Sequence, residues 1–412
     1  MTVWITDNLG VAPCNLRLGN DVCRLDVRDL VDKKGNDLRI LQDKIKAGLN
    51  MLREGRRLVV CCDLGVSRSV AISVGIMSLF GKSFEESVRL AAERVKNQDM
   101  NLDLLEDVRR SIGHTTEKRP NDKKTSRILI IGSEGFIGKA IIKKLSGEYS
   151  LYCPGKSETE LPENILSLYS EVRSREIDLI VDLSYSEPQN LMKSLLGSVA
   201  TTRNILEVGR LNDVPVLFFS TLLVFEGYGG DAVPTLKSEL EPRPASIYGQ
   251  GKALCEELIE WYRRLYQLRV TTLRLPYVYG KSLNRITFLR KLVENATKDE
   301  PITIHRYLNG FQRLDFLHID DLIEAIERAI HRTPSENINL GSGIGTSTLD
   351  LAKLVVGLAK SKSKINVVDV KDRVRDLVAD TAKARESLDW EPKANLTSAL
   401  RRMLPNQKKG EQ

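Results

Sequence analysis

Residues 128–142 read ILIIGSEGFIGKAII, an aliphatic run, three glycines at Gly132, Gly135 and Gly138, and a second apolar run. Four consecutive aliphatic residues suit a strand buried on both faces, and the run after the glycines has helical character. Strand, glycine turn and helix start, in that order, make a cradle for a pyrophosphate. The glycines permit the tight turn, the close approach of backbone to phosphate, and the packing of helix on sheet.

Outward from this stretch the pattern repeats. Strand-like runs occur at IDLIVDLS (177–184), VPVLFFS (214–220), VTTLRLPYVYG (270–280) and ENINLGSG (336–343). Between them, SLLGSVATTRNILEVGRL (194–211) and KALCEELIEWYRRLYQL (252–268) have helical period. Strands alternating with helices predict an α/β fold with a Rossmann-like, doubly wound parallel sheet. At the head of the second helical run stand Tyr248 and Lys252, one turn apart. The lysine lowers the phenol pKa by its charge and reaches toward a ribose hydroxyl, so the phenol becomes an acid or base for a carbinol or carbonyl. A hydroxyl from Ser220 or Thr221, at the end of VPVLFFS, completes the set.

A different pattern fills the first part of the chain. In LVVCCDLGVSRSVAI (58–72) an apolar strand runs into Cys61 and Cys62, then Gly65, Arg68 and Ser69. Loop amides and a helix start stabilise a thiolate at Cys62. Arg68 has the reach to grip two phosphate oxygens in a fork, and Ser69 to stabilise the thiolate as it leaves. Helical runs flank this loop, from NDLRILQDKIKAGLNMLREG (36–55) to LDLLEDVRRSI (102–112). The polar stretch 113–126, GHTTEKRPNDKKTS, reads as a linker, which divides the chain into residues 1–112, 127–405 and a basic polar tail, 406–412.

Bulk properties narrow the function classes. The 412 residues are 42% hydrophobic and 28% charged, as in soluble globular proteins. The net charge of +7 gathers largely in the linker and tail, with no basic stripe carrying interleaved aromatics, so nucleic acid is not an expected partner. No run has the length of a membrane span and the opening MTVWITDNLGVAPC lacks signal-peptide features; a cytoplasmic protein is expected. Six cysteines are too sparse for a disulfide scaffold, and four scattered histidines announce no metal site.

The downstream residues resemble the extended short-chain dehydrogenase/reductases, the NAD-dependent epimerase/dehydratase family, over about residues 126–405. FFSTLLVFEG, ASIYGQGKALCEEL, TLRLPYVYG, RLDFLHIDDLIEAI and NINLGSG match that family's segments in order. The resemblance implies a small C-terminal substrate-binding subdomain, NAD or NADP as cofactor and a nucleotide sugar as substrate; a homodimer is one state it allows. It places Thr221 as the catalytic hydroxyl, Tyr248 as acid/base and Lys252 as its activator, with Gly132, Gly135, Phe136, Ile137 and Gly138 around the pyrophosphate. Leu222 and Leu223 stand where the family's dehydratases and decarboxylases carry acidic residues, which leaves epimerisation or reduction. Ser198 stands near a usual asparagine, and Leu314, beside Arg313, replaces a usual arginine. Cofactor choice stays open: Lys156 is positioned for a 2′-phosphate and Glu160 for the adenine side.

Over residues 1–112, VVCCDLGVSRSVAI resembles the signature loop of dual-specificity protein tyrosine phosphatases, and WITDNLGVAP that family's opening strand. Carried over, Cys62 is the nucleophile, Arg68 the phosphate-binding arginine and Ser69 the leaving-group helper, acting on a phosphorylated substrate. Asp29, in RLDVRD, takes the general-acid place, with Asp26 and Asp32 as competitors. Cys61 replaces the family's histidine; reduced activity, or a reversible redox state at Cys61, follows from that departure. The combined expectation is a bifunctional enzyme. The alternative is a dinucleotide-binding sensor without turnover in one or both regions.

Overall fold

The glycine stretch folds as anticipated in the computed structural model, which describes residues 1–95, 100–113, 126–154, 164–184, 191–228, 236–281 and 287–404. The chain begins with β1 (Val3–Trp4), β2 (Leu9–Pro13), β3 (Val22–Asp26), α1 (Leu38–Arg53) and β4 (Arg57–Cys62). Helices α2 (Arg68–Leu79), α3 (Phe84–Arg94) and α4 (Leu102–Ser111) follow. Then come β5 (Arg127–Ile131), α5 (Phe136–Leu145), β6 (Ser150–Tyr152), α6 (Ile165–Ser174), β7 (Leu179–Asp182), α7 (Leu191–Asn212) and β8 (Val216–Thr221). After a 3-10 turn (Leu222–Tyr228) the chain forms α8 (Ile247–Tyr266), β9 (Val270–Leu275), β10 (Tyr277–Tyr279), α9 (Phe288–Thr297) and β11 (Ile302–Arg306). It continues through β12 (Arg313–Leu314), β13 (Phe316–His318), α10 (Ile319–Arg332) and β14 (Asn337–Asn339). Two compact units result: Met1–Leu129 with Pro154–Asp178 and Ala200–Val214, and Ile130–Cys153 with Leu179–Val199 and Pro215–Gln412.

In the first unit the sheet order is β1-β2-β4-β3, with β4 parallel to both neighbours. That central place explains why Leu58 to Cys62 are all buried. WITDNLGVAP, anticipated as one opening strand, is instead the antiparallel pair β1 and β2, with Val3 opposite Val11. Helix α1 buries Leu41, Ile45, Gly48 and Leu49, one stripe at helical spacing, and Asp37 caps it by accepting the Arg39 N–H. Helix α2 is buried from Ser69 to Met77, in keeping with a sequence that is apolar nearly all round. The unit also takes in α6 and the end of α7. Glu106 of α4 accepts the Tyr169 hydroxyl and the Arg109 Nε (3.0 Å), with Arg173 at 3.5 Å, while Arg210 of α7 pairs with Asp103 at 3.0 Å.

In the second unit six strands run in the order β14-β9-β8-β7-β5-β6. β7, β8, β9 and β14 pair in parallel. β8 and β9 are buried at every position, as a sheet covered on both faces requires. Strand order reverses between β5 and β7, so the crevice at the carboxyl ends of these strands is the topological switch point. The stretch 270–280, anticipated as one strand, is two: Pro276 cannot donate to a ladder, and after it β10 leaves the main sheet to pair in parallel with β13. The C-terminal part adds small two-stranded sheets around a core that includes Val224, Phe225, Leu314, Phe316 and Leu351.

Candidate active site

The glycine loop sits at the switch point. Gly132 has φ +82°, and a Cβ there would stand 2.7 Å from the Leu183 carbonyl oxygen, so the turn out of β5 admits only glycine. At Gly138 a Cβ would meet the carbonyl oxygens of Gly132 and Ser133, both at 2.6 Å. Gly135 is the N-cap of α5 and offers no side-chain cap. The start of α5 thus lines the cleft without a side-chain cap from its N-cap residue, which suits the holding of an anionic diphosphate. These residues fit a dinucleotide.

The cleft, about 1900 Å³, is lined by Gly132, Gly135, Phe136, Ile137, Gly138, Thr221, Tyr248 and Lys252 among others, so one cavity gathers the three catalytic candidates and the five pyrophosphate-loop residues. Helix α8 starts at Ile247, ahead of the anticipated 252–268, because Ser246 caps it by accepting the Gly249 N–H. Tyr248 thus lies in the first turn and is 39% exposed, open to a substrate, whereas Lys252 is 7% exposed. Lys252 Nζ donates to the Ser184 carbonyl at 3.4 Å and stands 4.6 Å over the Phe218 ring. The two hydroxyls left open by the sequence both belong to residues at the cleft, and Ser220 donates to the buried Glu256 carboxylate. Thr221 lines the cleft, its Oγ1 accepting the Leu223 N–H at 3.2 Å.

Other named residues fall at varied places. Leu222 and Leu223 both line the cleft, directly after Thr221. Ser198 lies on α7 and outside the lining set. Leu314 is buried in the C-terminal core, while the adjacent Arg313 donates to the Gly345 carbonyl at 2.7 Å. Lys156 and Glu160 lie outside the described residues. The sequence reading missed Asp182, Leu183 and Ser184 at the end of β7. Their signal was a lone acid closing an otherwise apolar strand, VDLS.

The second constellation, in the first unit, surrounds Cys62 at the end of β4. Gly65 has φ +73° and packs so closely on Ala12 that a Cβ would lie 2.4 Å from its carbonyl carbon, which bends the loop back under the thiol. Cys62 Sγ then accepts the Gly65 N–H at 3.2 Å and lies 3.5 Å from the Ser69 hydroxyl. Burial pushes the thiol pKa up, but the Ser69 hydroxyl and the amides of Ser69, Val66 and Gly65 outweigh it and hold the thiol below the ordinary cysteine range. The Arg68 guanidinium pairs with Asp63 and donates to the carbonyls of Arg28 (3.0 Å) and Leu30 (3.2 Å). Asp29 is exposed and paired with Lys44 at 2.9 Å. Its competitors are engaged differently, Asp26 with Arg28 (2.7 Å) and Asp32 with the Ser67 hydroxyl (2.5 Å). Cys61, the residue in the histidine's place, is disulfide-bonded to Cys14, with Cα atoms 4.9 Å apart. The sequence reading had not found that partner.

Among the described residues no helix is long and apolar enough to cross a membrane. UDP-glucuronic acid decarboxylase 6 of Arabidopsis thaliana is 25% identical over 333 residues, covering 70% of this chain and 94% of the relative. The crystal structure of UDP-glucose 4-epimerase from Thermotoga maritima, with UDP-glucose, superposes with a TM-score of 0.59 at 24% identity, covering 67% of this chain and 96% of that one. RMD from Pseudomonas aeruginosa, complexed with NADPH, gives a TM-score of 0.59 at 19% identity, covering 68% and 98%. The model of the NAD dependent epimerase/dehydratase family matches residues 128–341, more than half of the chain and the segment that carries the glycine cradle, Thr221, Tyr248 and Lys252. The chain belongs to the NAD dependent epimerase/dehydratase family.

Proposed function

We propose that the cleft of the second unit is an NAD(P)-dependent epimerase or reductase site for a sugar nucleotide. The observation that carries the reading is the convergence of Thr221, Tyr248 and Lys252 with the uncapped start of α5 on one cavity. The α5 amides and Gly135 hold the diphosphate, and Lys252 reaches the ribose from the buried side. Bound there, the nicotinamide supplies hydride acceptance and return. Tyr248 takes the proton from a sugar carbinol, or returns it to a carbonyl, with Thr221 donating a hydrogen bond to the same oxygen. Lys252 keeps positive charge near the phenolate that forms. Leu222 and Leu223 put no carboxylate beside Thr221, which favours epimerisation or reduction over elimination.

The test is incubation of the protein with UDP-, dTDP- and GDP-sugars and NAD or NADPH, followed by product analysis. Epimer formation or cofactor oxidation in the wild type that disappears in Tyr248→Phe supports the proposal. Dinucleotide binding with no turnover on any sugar nucleotide would leave a sensing module in its place.

A second reading concerns the first unit. The thiol of Cys62, held by the Gly65 amide and the Ser69 hydroxyl at the start of the helix that opens with Arg68, favours a Cys-dependent phosphatase-like site in residues 1–112. In that reading Cys62 attacks phosphorus, Ser69 supports the leaving thiolate, and Asp29 protonates the leaving oxygen. The family match begins at residue 128, so this reading rests on the loop alone. Phosphate release from an aryl phosphate by wild type, absent in Cys62→Ser, supports it; equal background rates overturn it.

A further inference from the structure

Lys252 has a second neighbour that the proposed chemistry does not use. Asp182, the last residue of β7, is 0% exposed. One oxygen accepts the Ser184 N–H at 2.9 Å. The other is buried with no hydrogen-bond partner among the described residues. An acid kept only for structure looks different in this same unit. The buried Asp315 spends both oxygens on the Ser342 N–H (2.7 Å) and hydroxyl (2.6 Å) and the amides of Gly343 (3.0 Å) and Ala379 (3.2 Å). Leaving a carboxylate oxygen unmatched inside a protein is costly, so a compensating charge is the natural explanation.

Three relations identify that charge as Lys252. Asp182 is the register partner of Phe218 across β7 and β8, and Lys252 Nζ stands over the Phe218 ring. The Ser184 residue whose N–H is held by Asp182 also receives Lys252 on its carbonyl. Burial raises the Asp182 pKa, and the field of Lys252 is the foremost influence opposing that rise. We propose that Asp182 is the positioning residue for Lys252: the buried carboxylate, with the Ser184 turn it fixes, holds the ammonium in the cleft where a dinucleotide binds. This rests on the dinucleotide reading of the cleft. It adds that a residue outside the cavity lining governs how the lysine serves it.

A double-mutant cycle tests the proposal in the full-length protein, with NADH and NADPH binding followed by cofactor fluorescence. Asp182→Asn keeps the shape and an acceptor for Ser184 but removes the charge. It is expected to weaken binding about tenfold when Lys252 is present, and to have no effect in the Lys252→Met background. Equal weakening in both backgrounds, or none in either, overturns the proposal. The melting temperature gives a second cycle: Asp182→Asn alone should lower it, because the buried Lys252 ammonium loses its counter-charge, and the fall should be smaller in the Lys252→Met background; an equal fall in both backgrounds would mark a purely structural acid and overturn the proposal. Should the wild type bind neither dinucleotide, the cofactor reading itself fails, and acetylation of Lys252 by acetic anhydride, read by mass spectrometry, decides the pairing. Faster acetylation in Asp182→Asn than in wild type supports it, and equal rates overturn it.

Discussion

Glu256 of α8 grips Arg274 of β9 through both carboxylate oxygens at 2.6 to 3.1 Å, with side chains only 3% and 2% exposed. Ser220 donates to the same carboxylate, and Arg274 also donates to the Ser238 carbonyl at 2.8 Å. The pair locks the helix carrying Tyr248 and Lys252 to the sheet and gives the Ser220 hydroxyl a buried acceptor. Glu256→Gln should cost about 3–5 kcal/mol, because a buried guanidinium loses its counter-charge. Urea denaturation reads this directly. A double Glu256→Leu, Arg274→Met variant should recover much of the loss, since it leaves no orphaned charge.

The turn at Gly132 yields a prediction about binding. Alanine there would combine a left-handed backbone with a clash on the Leu183 carbonyl. Gly132→Ala is therefore expected to lower the melting temperature and abolish dinucleotide binding, measured by cofactor fluorescence. Gly135→Ala is the control for geometry, because its Cβ would meet only the Gly132 carbonyl oxygen, at 3.3 Å. It should fold normally yet bind weakly, because the methyl stands where backbone must approach phosphate.

The Cys62 thiol should alkylate at a lower pH than an unperturbed cysteine. The sign follows from its surroundings: the Ser69 hydroxyl and three amides favour the charged form by more than burial disfavours it. The pH profile of iodoacetamide labelling, followed by peptide mass spectrometry, should have its midpoint below that of free cysteine. Ser69→Ala should move the midpoint upward, as the largest opposing contribution to burial is lost. A midpoint at or above that of free cysteine would remove the physical basis for a nucleophile there.

The readable parts of this chain are those in which local pattern and tertiary context agree. β4 formed over the apolar run that ends in Cys61 and Cys62, and the glycine turn formed after β5, because a short aliphatic run followed by a glycine loop has one economical fate in a parallel sheet. The Tyr248–Lys252 spacing was readable because helical geometry alone puts i and i+4 on one face. What escaped was long-range. The Cys14–Cys61 bond joins residues 47 apart in sequence, and nothing in the local spacing announces it. The bond from Ser220 to Glu256 escaped as well, because only the packing of α8 brings that carboxylate to the end of β8. The break at Pro276 was visible as a proline, but not that the next strand would pair with β13.

The Cys14–Cys61 bond carries its own expectation. It closes a 47-residue separation between the ends of β2 and β4, where the Cys14 N–H also bonds the Cys62 carbonyl at 2.9 Å. A cross-link over a loop of that length constrains the unfolded chain by about 4 kcal/mol in the chain-entropy view. Cys14→Ser should lower stability of the first unit by about 2–4 kcal/mol under non-reducing conditions and make it indifferent to dithiothreitol. Wild type should lose a similar amount on reduction. Differential scanning calorimetry with and without reductant checks both.

Residues 1–113 should prove inseparable from the rest of the chain, even though a polar stretch follows them. Within the first unit α6 buries Ile165, Leu168, Tyr169 and Val172, each no more than 1% exposed, and packs on α3. Asn164 donates to the Ala92 carbonyl at 3.0 Å, and Tyr169 and Arg173 converge on Glu106 of α4. A chain starting at Ser126 would expose that aliphatic face and leave Arg173 without Glu106 and Glu85, its carboxylate partners in this unit. Such a fragment is expected to bind a hydrophobic dye strongly and to elute as an aggregate in size-exclusion chromatography, whereas the full chain does neither. Mixing it with separately prepared residues 1–113 should restore a defined species, because the lost contacts are non-covalent. A monomeric fragment that melts like the full chain would show that α6 needs no partner from the first 113 residues, and that the two regions fold as independent bodies.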